Sequence, residues 1–257
     1  MDVKLASKFR ELRWNEGLSM LRELLGQPPR ENEGLLADTF LSIKDTINLL
    51  QKEMNDSKDP SHDFRKLEIW CRGLLSSLDE LEGCLFAASF FRNKVVKSST
   101  EDMNADEQMD YARYVFFYKD GFIRVFSILD KLGTVLNELF DLHTSKVKTH
   151  FSYFTVLRQF NYMKTHPDLG NKLFAIKEQY KEALSELRRR RNTEIHYMNS
   201  EMKDDLWQRH QALYGKIKLE DLDAHLHDLQ QGFNMVCETM LTTFLYTNQR
   251  WKKVKDS

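Results

Sequence analysis

A side chain that can grip a phosphate and one that can move protons near neutral pH stand close together in Arg191-Asn192-Thr193-Glu194-Ile195-His196. The guanidinium offers a planar fork of donors, and imidazole titrates where a general acid or base is most useful. Asn192 follows the arginine directly and can orient either partner through its amide. An arginine and a histidine so placed are the pair that a metal-free ribonuclease needs. Arg188, Arg189 and Arg190 lead into the motif, so four arginines run in succession, the first three as candidates for contacts with flanking phosphates.

The same residues also have a purely structural reading. Arginines in the last turn of a helix interact well with its negative end, Arg191 has Glu194 three residues on as an ion-pair partner, and His196 could cap a chain reversal. Spacing adds a constraint. Positions five apart on an unbroken helix lie roughly 140° apart, whereas Asn192 and His196, four apart, share a face. Arg191 and His196 can therefore meet on one phosphate only if the helix breaks between them or if two copies of the site face each other. The second route makes a homodimer part of the mechanism.

The elements that must position these residues are helices. Phe64, Leu67, Cys71, Leu74, Leu78, Leu81 and Leu85 step by threes and fours. So do Val115, Tyr118, Phe122, Val125, Leu129, Leu132, Leu136 and Leu139, and again Leu219, Leu222, Leu226, Leu229, Phe233, Val236 and Met240. Such stripes mark long helices packed at shallow angles, and nothing comparable has a period of two. The expected fold is an all-α multi-helix bundle. Gly26-Gln27-Pro28-Pro29, the stretch Asp56 to Ser61 and the linker Lys97 to Asp102 interrupt it, with a new helix starting near Asn104. A turn is expected at His166-Pro167-Asp168-Leu169-Gly170, a cap at Asn199-Ser200 and a further break at Tyr214-Gly215. The Ser99 linker is the best boundary, dividing an N-terminal helical region, 1–103, from a C-terminal bundle, 104–257.

Composition supports that reading and closes other routes. Ten glycines and four prolines in 257 residues leave few turns, and 30% of residues are charged. No apolar run approaches the ~20 residues a membrane span needs, and no secretory signal is visible, so the expected site is the cytoplasm. Cys71, Cys84 and Cys237 have no metal-ligand spacing and read as reduced core thiols. A net charge of −1 argues against a protein that coats nucleic acid, so any RNA contact must be local. No metal and no cofactor is expected. His225-x-His227 points two ways on its helix and reads as a solvated pair, and Glu178 and Glu182 read as helix salt bridges with Lys177 and Lys181. Phe90-Phe91 and Phe116-Phe117-Tyr118 read as core or dimer packing, and Arg250 to Lys255 as a frayed basic tail. Asp130 and Lys131, which interrupt an apolar helix, either support the site from a neighbouring helix or form an ion pair.

Arg191-Asn192-x3-His196 at a helix end of an all-α chain resembles the signature of the HEPN superfamily. A second resemblance lies in Phe126-Ser127-Ile128-Leu129-Asp130-Lys131-Leu132-Gly133-Thr134-Val135-Leu136-Asn137, which is similar to a Leu-Asp-Lys…Asn helix of several HEPN subfamilies. Together they cover roughly residues 105 to 250. The resemblance implies a bundle of four or more helices, usually dimeric, with the motif at the dimer interface. Many such proteins cleave RNA without metal and others only bind. In the toxins paired with nucleotidyltransferase antitoxins a tyrosine stands two residues after the histidine. Here Met198 holds that place and Tyr197 comes one residue early, so membership of that class is not implied.

The leading expectation is a metal-independent endoribonuclease, acting in defence or stress. His196 would be general base or acid, Arg191 would stabilise the phosphorane and Asn192 would orient them. Arg188, Arg189 and Arg190 would bind RNA. The products would end in a 2′,3′-cyclic phosphate, and DNA, lacking the attacking hydroxyl, would not be cut. The alternative is a non-catalytic helical module that binds RNA or a protein partner.

Overall fold

The computed structural model describes residues 20–31, 33–56, 59, 61–196 and 219–255. These contain α1 (Met20–Leu24), α2 (Gly34–Asp56), α3 (Asp63–Arg92), a 3-10 turn (Thr100–Asp102), α4 (Ala105–Leu139), α5 (Thr144–Val147), α6 (Tyr153–Met163), α7 (Pro167–Gln179), α8 (Lys181–His196) and α9 (Leu222–Lys255). No strand occurs among the described residues, and none of their helices is long and apolar enough to cross a membrane. The fold is all-α, as the periodicities require. Asn199-Ser200 and Tyr214-Gly215 lie outside the described residues.

The breaks expected at Gly26, after Asp56, before Asn104 and at His166 are present, and further ones that the spacing did not mark fall at 140–152 and at Tyr180. After α1, Gly26 takes a φ of 63°, and the Gly26 and Gln27 amides return to the Glu23 and Arg22 carbonyls at 3.0 and 2.8 Å. That is a Schellman closure, which a glycine makes at little cost before the two prolines. Asn104 caps α4 by accepting the Glu107 amide at 2.9 Å. Glu107 in turn accepts the amides of Val96 and Lys97 at 2.6 and 2.7 Å, which folds the linker back against the helix it precedes. At His166 the chain does turn, in the left-handed region at φ 49°, but Pro167 begins α7 and Asp168, Leu169 and Gly170 are already helical. Proline at the first helical position loses no bond there, so the expected turn shrinks to one residue.

The apolar stripes become the core. Leu67, Cys71, Leu74, Leu78, Leu81 and Leu85 of α3 are buried against Val115, Tyr118, Phe122, Val125, Leu129, Leu132 and Leu136 of α4. On the third stripe, Leu229, Phe233, Val236 and Met240 of α9 are buried, with Leu226 partly so. Each such leucine contributes about 1.5–3 kcal/mol relative to exposure. Residues from both sides of the Ser99 linker enter this one core. All three cysteines are free and buried, and burial pushes the Cys71 and Cys84 thiols up to about 12.

A polar seam joins α2 to α9. Thr46 donates to Asn248 Oδ1 at 2.6 Å, Asn248 donates to the Ser42 carbonyl at 3.0 Å, and Thr39 reaches the Cys237 carbonyl at 3.3 Å. All of these groups are buried. Beyond the seam α9 stays helical through Lys255, and Trp251 Nε1 donates to Glu53 at 3.1 Å. The segment expected to be a frayed tail is therefore held, because Trp251 packs on Phe64 with ring centroids 6.1 Å apart.

Candidate functional site

Helix α8 carries the motif, and two buried leucines seat it. Leu187 lies over Gly232 of α9 so closely that a Cβ at position 232 would stand 2.6 Å from its Cδ1. Glu194 pairs with Lys119 of α4 at 3.0 Å and fixes the other end. With those anchors set, four consecutive arginines must fan out in steps of roughly 100°.

The structure separates them accordingly. Arg191 and Arg188 turn towards α4 and α6, with the Arg191 guanidinium 4.7 Å from the Phe126 ring centroid and that of Arg188 4.6 Å from Phe154. Arg189 faces outward beside Glu186 at 3.2 Å. Arg190 turns inward. Its side chain is 11% exposed and lies 3.4 Å from Glu220, which also accepts from His225 Nε2 at 3.0 Å. His225 is buried and stacks on Tyr118 at 5.4 Å, so it is not the solvated half of a pair. His227 is exposed, as expected. The His225 and Arg190 contacts hold the Glu220 carboxyl below its ordinary range.

Arg191 does not pair with Glu194. Its Nη2 and Nε donate to Asn192 Oδ1 at 2.7 and 3.2 Å, so the adjacent amide orients the guanidinium while the Phe126 ring supports its face. Asp130 lies in the same neighbourhood on α4. Its Oδ1 accepts the Tyr153 amide at 2.9 Å, and burial pushes its carboxyl up, against that bond and the charges of Arg191 and Arg188. Lys131 points elsewhere, to Ser77 Oγ at 2.8 Å. Of the two roles open to Asp130 and Lys131, only Asp130 adjoins the arginines, and the two do not bond to each other.

His196 is exposed in the last described turn of α8, beside Ile195 at 54% exposure. The helix is unbroken from Lys181 to His196, so no break brings the histidine round to the arginine within one chain. Asn192 and His196 share a face, and Arg191 lies to its side. Among the described residues no group of three or more His, Cys, Asp or Glu is arranged to hold a metal ion.

Reading the motif alone misses what supports it. Phe154 carries Arg188, and no local pattern marks it. Gly133 is legible in retrospect as a lone glycine in an apolar helix. A Cβ there would lie 3.0 Å from the Tyr153 Cα, so the residue lets the start of α6 press against α4. Asn137, at the end of the same run, accepts the Thr144 amide at 2.8 Å. Asp130, Gly133 and Asn137 thus all serve to dock the α5–α6 segment, and α6 supplies Phe154.

A family model described as HEPN_Cthe2314-like HEPN matches residues 70–248, which takes in most of α3, all of α4 to α8 and most of α9. No curated protein and no solved structure matches the chain. With the match covering well over half of its length, and the arginine–histidine helix seated inside that match, the chain belongs to the HEPN superfamily, in its Cthe2314-like family.

Proposed function

We propose that the protein is a metal-independent endoribonuclease whose working site is completed by a second copy of the chain. The observation that carries this reading is the setting of Arg191. Asn192 and Phe126 hold its guanidinium in one orientation at the end of α8, and the exposed His196 stands one turn from that amide. Orientation before the substrate arrives is what electrostatic stabilisation of a phosphorane requires.

In the proposed reaction a ribose 2′-oxygen attacks the adjacent phosphorus, and the P–O5′ bond breaks. The 2′-hydroxyl proton passes to one histidine, and a protonated histidine delivers a proton to O5′. One strand then ends in a 2′,3′-cyclic phosphate and the other begins with a 5′-hydroxyl. Arg191 donates to the equatorial oxygens as charge grows on them. Each site of the dimer takes Arg191 from one protomer and His196 from the other, and that histidine, once protonated by the 2′-hydroxyl, is the acid for O5′. A role in defence or stress fits this reading.

Full-length protein incubated with RNA in EDTA should yield cyclic-phosphate ends. Arg191→Ala or His196→Ala should lower the rate by about 10²-fold or more while leaving the circular dichroism spectrum unchanged. Cleavage that persists in both variants would overturn the reading. One observation favours the second reading, a module that binds RNA or a protein partner without cutting. The unbroken α8 keeps Arg191 and His196 on different faces of one chain. RNA retained intact by protein shown to be dimeric would decide for it.

A further inference from the structure

Charge is distributed unevenly along the segment that α4 docks. The chain holds 39 acidic residues among 257, yet from Leu142 to Pro167 there is no aspartate or glutamate. The same stretch contains Lys146, Lys148, Arg158 and Lys164, all exposed. It forms α5 and α6 and touches the candidate site directly, since Arg188 lies over Phe154 and Tyr153 bonds to Asp130.

Helical spacing gives the segment a direction. Phe154, Arg158 and Tyr162 are four residues apart on α6 and share one face. Arg158 is exposed, and Tyr162 is 82% exposed, an unusual position for an aromatic ring in a folded chain. Along α6 the contacts pass from Asp130 of α4, at Tyr153, to Phe140, whose ring lies 5.8 Å from Phe160. The face therefore leads away from His196. The row Asn192, Arg191 and Arg188 on α8 continues through Phe154 to Arg158 and Tyr162 on α6. Phe154 to Tyr162 spans about 12 Å along α6, and Arg188 to Asn192 about 6 Å along α8. Glu178, on the neighbouring α7, lies within reach of Lys177 and Lys181, at 2.5 and 3.8 Å.

We propose that this outward face of α6 binds the single-stranded RNA flanking the scissile phosphate, with Arg158 on a backbone phosphate and Tyr162 stacked under a base. The inference rests on the reading of the site as one for RNA. A cation one helical turn from an exposed ring, in a stretch without carboxylates, combines the two elements of sequence-tolerant strand binding, an electropositive track and a stacking surface. Both side chains are solvent-facing, so replacing them leaves the core untouched.

The test uses the full chain carrying His196→Ala and a fluorescein-labelled oligouridylate of about 12 nucleotides, titrated by anisotropy over a series of KCl concentrations. Arg158→Ala should reduce the slope of log K against log salt by about 0.7, the loss of one phosphate contact on a single strand. Tyr162→Ala should weaken binding about tenfold with the slope unchanged, and Tyr162→Phe should restore it. Should both alanine variants bind like their parent while Arg188→Ala weakens binding, the track is refuted and the RNA reading survives. Failure of the parent to bind RNA at all removes both. Arg158-dependent capture of a polyglutamate probe in preference to the oligouridylate also refutes the track.

Discussion

Asp130 shows how one side chain can serve the fold and the site in opposite ways. Burial raises its carboxyl pKa, so the folded state prefers it neutral, while Arg188 and Arg191 draw it towards ionisation. A group whose folded pKa is raised contributes stability below its unfolded value, 3.8 here, and that stability is lost as pH rises through the folded value. Asp130→Asn keeps an oxygen for the Tyr153 amide and removes the ionisation. The variant should therefore melt at the same temperature as the parent at the acid end of this window and at a higher one at neutral pH. Differential scanning calorimetry across the window checks this, and a gap that widens towards acid would contradict it. At this scale the sequence was partly legible. It marked Arg191, Asn192 and His196, but it could not tell Arg190 from its neighbours. Which of four consecutive arginines turns inward depends on where Leu184 and Leu187 sit, and that is decided by packing against α9.

At the scale of elements, the run from Asp130 to Asn137 is a docking edge for the α5–α6 segment. Gly133 is its tightest point, because the obstacle to a side chain is the Tyr153 backbone and not a movable side-chain tip. Gly133→Ala should cost about 1–3 kcal/mol by overpacking, read from urea unfolding, and should loosen Phe154 beneath Arg188. A midpoint equal to that of the parent would show that α6 yields more easily than the geometry implies. The breaks at Gly26, after Asp56, before Asn104 and at His166 were readable, since apolar spacing and Gly-Pro turns report local physics, but the helix ends between Leu139 and Tyr153 and the joint at Tyr180 were not. The tail from Arg250 to Lys255 was not, because its order comes from Trp251 meeting Phe64 and Glu53, far away in sequence. The same holds for His225, whose burial depends on Tyr118 and Glu220.

For the whole molecule, an unbroken α8 means that the proposed pairing of Arg191 with His196 needs a second copy of the chain. If each site takes its arginine from one protomer and its histidine from the partner, the two defects should complement. Arg191→Ala and His196→Ala proteins, each inactive alone, should regain about a quarter of the parental rate when mixed and allowed to exchange subunits. Half of the dimers would then be mixed, each with one intact site. RNA cleavage at a fixed total protein concentration is the measurement. No recovery, with exchange shown by labelled subunits, would place both residues of a working site in one chain.

The seam between α2 and α9 acts at a distance. Asn248 can satisfy Thr46 and the Ser42 carbonyl at one axial setting only, since a slip of one turn, about 5.4 Å, would leave buried donors and acceptors empty at roughly 1–3 kcal/mol each. The same helix carries Gly232, on which Leu187 and hence the whole arginine row rests. Asn248 is thus a ruler mark. How far the arginine-bearing end of α8 stands out from the body is gauged by two hydrogen bonds made more than four helical turns away.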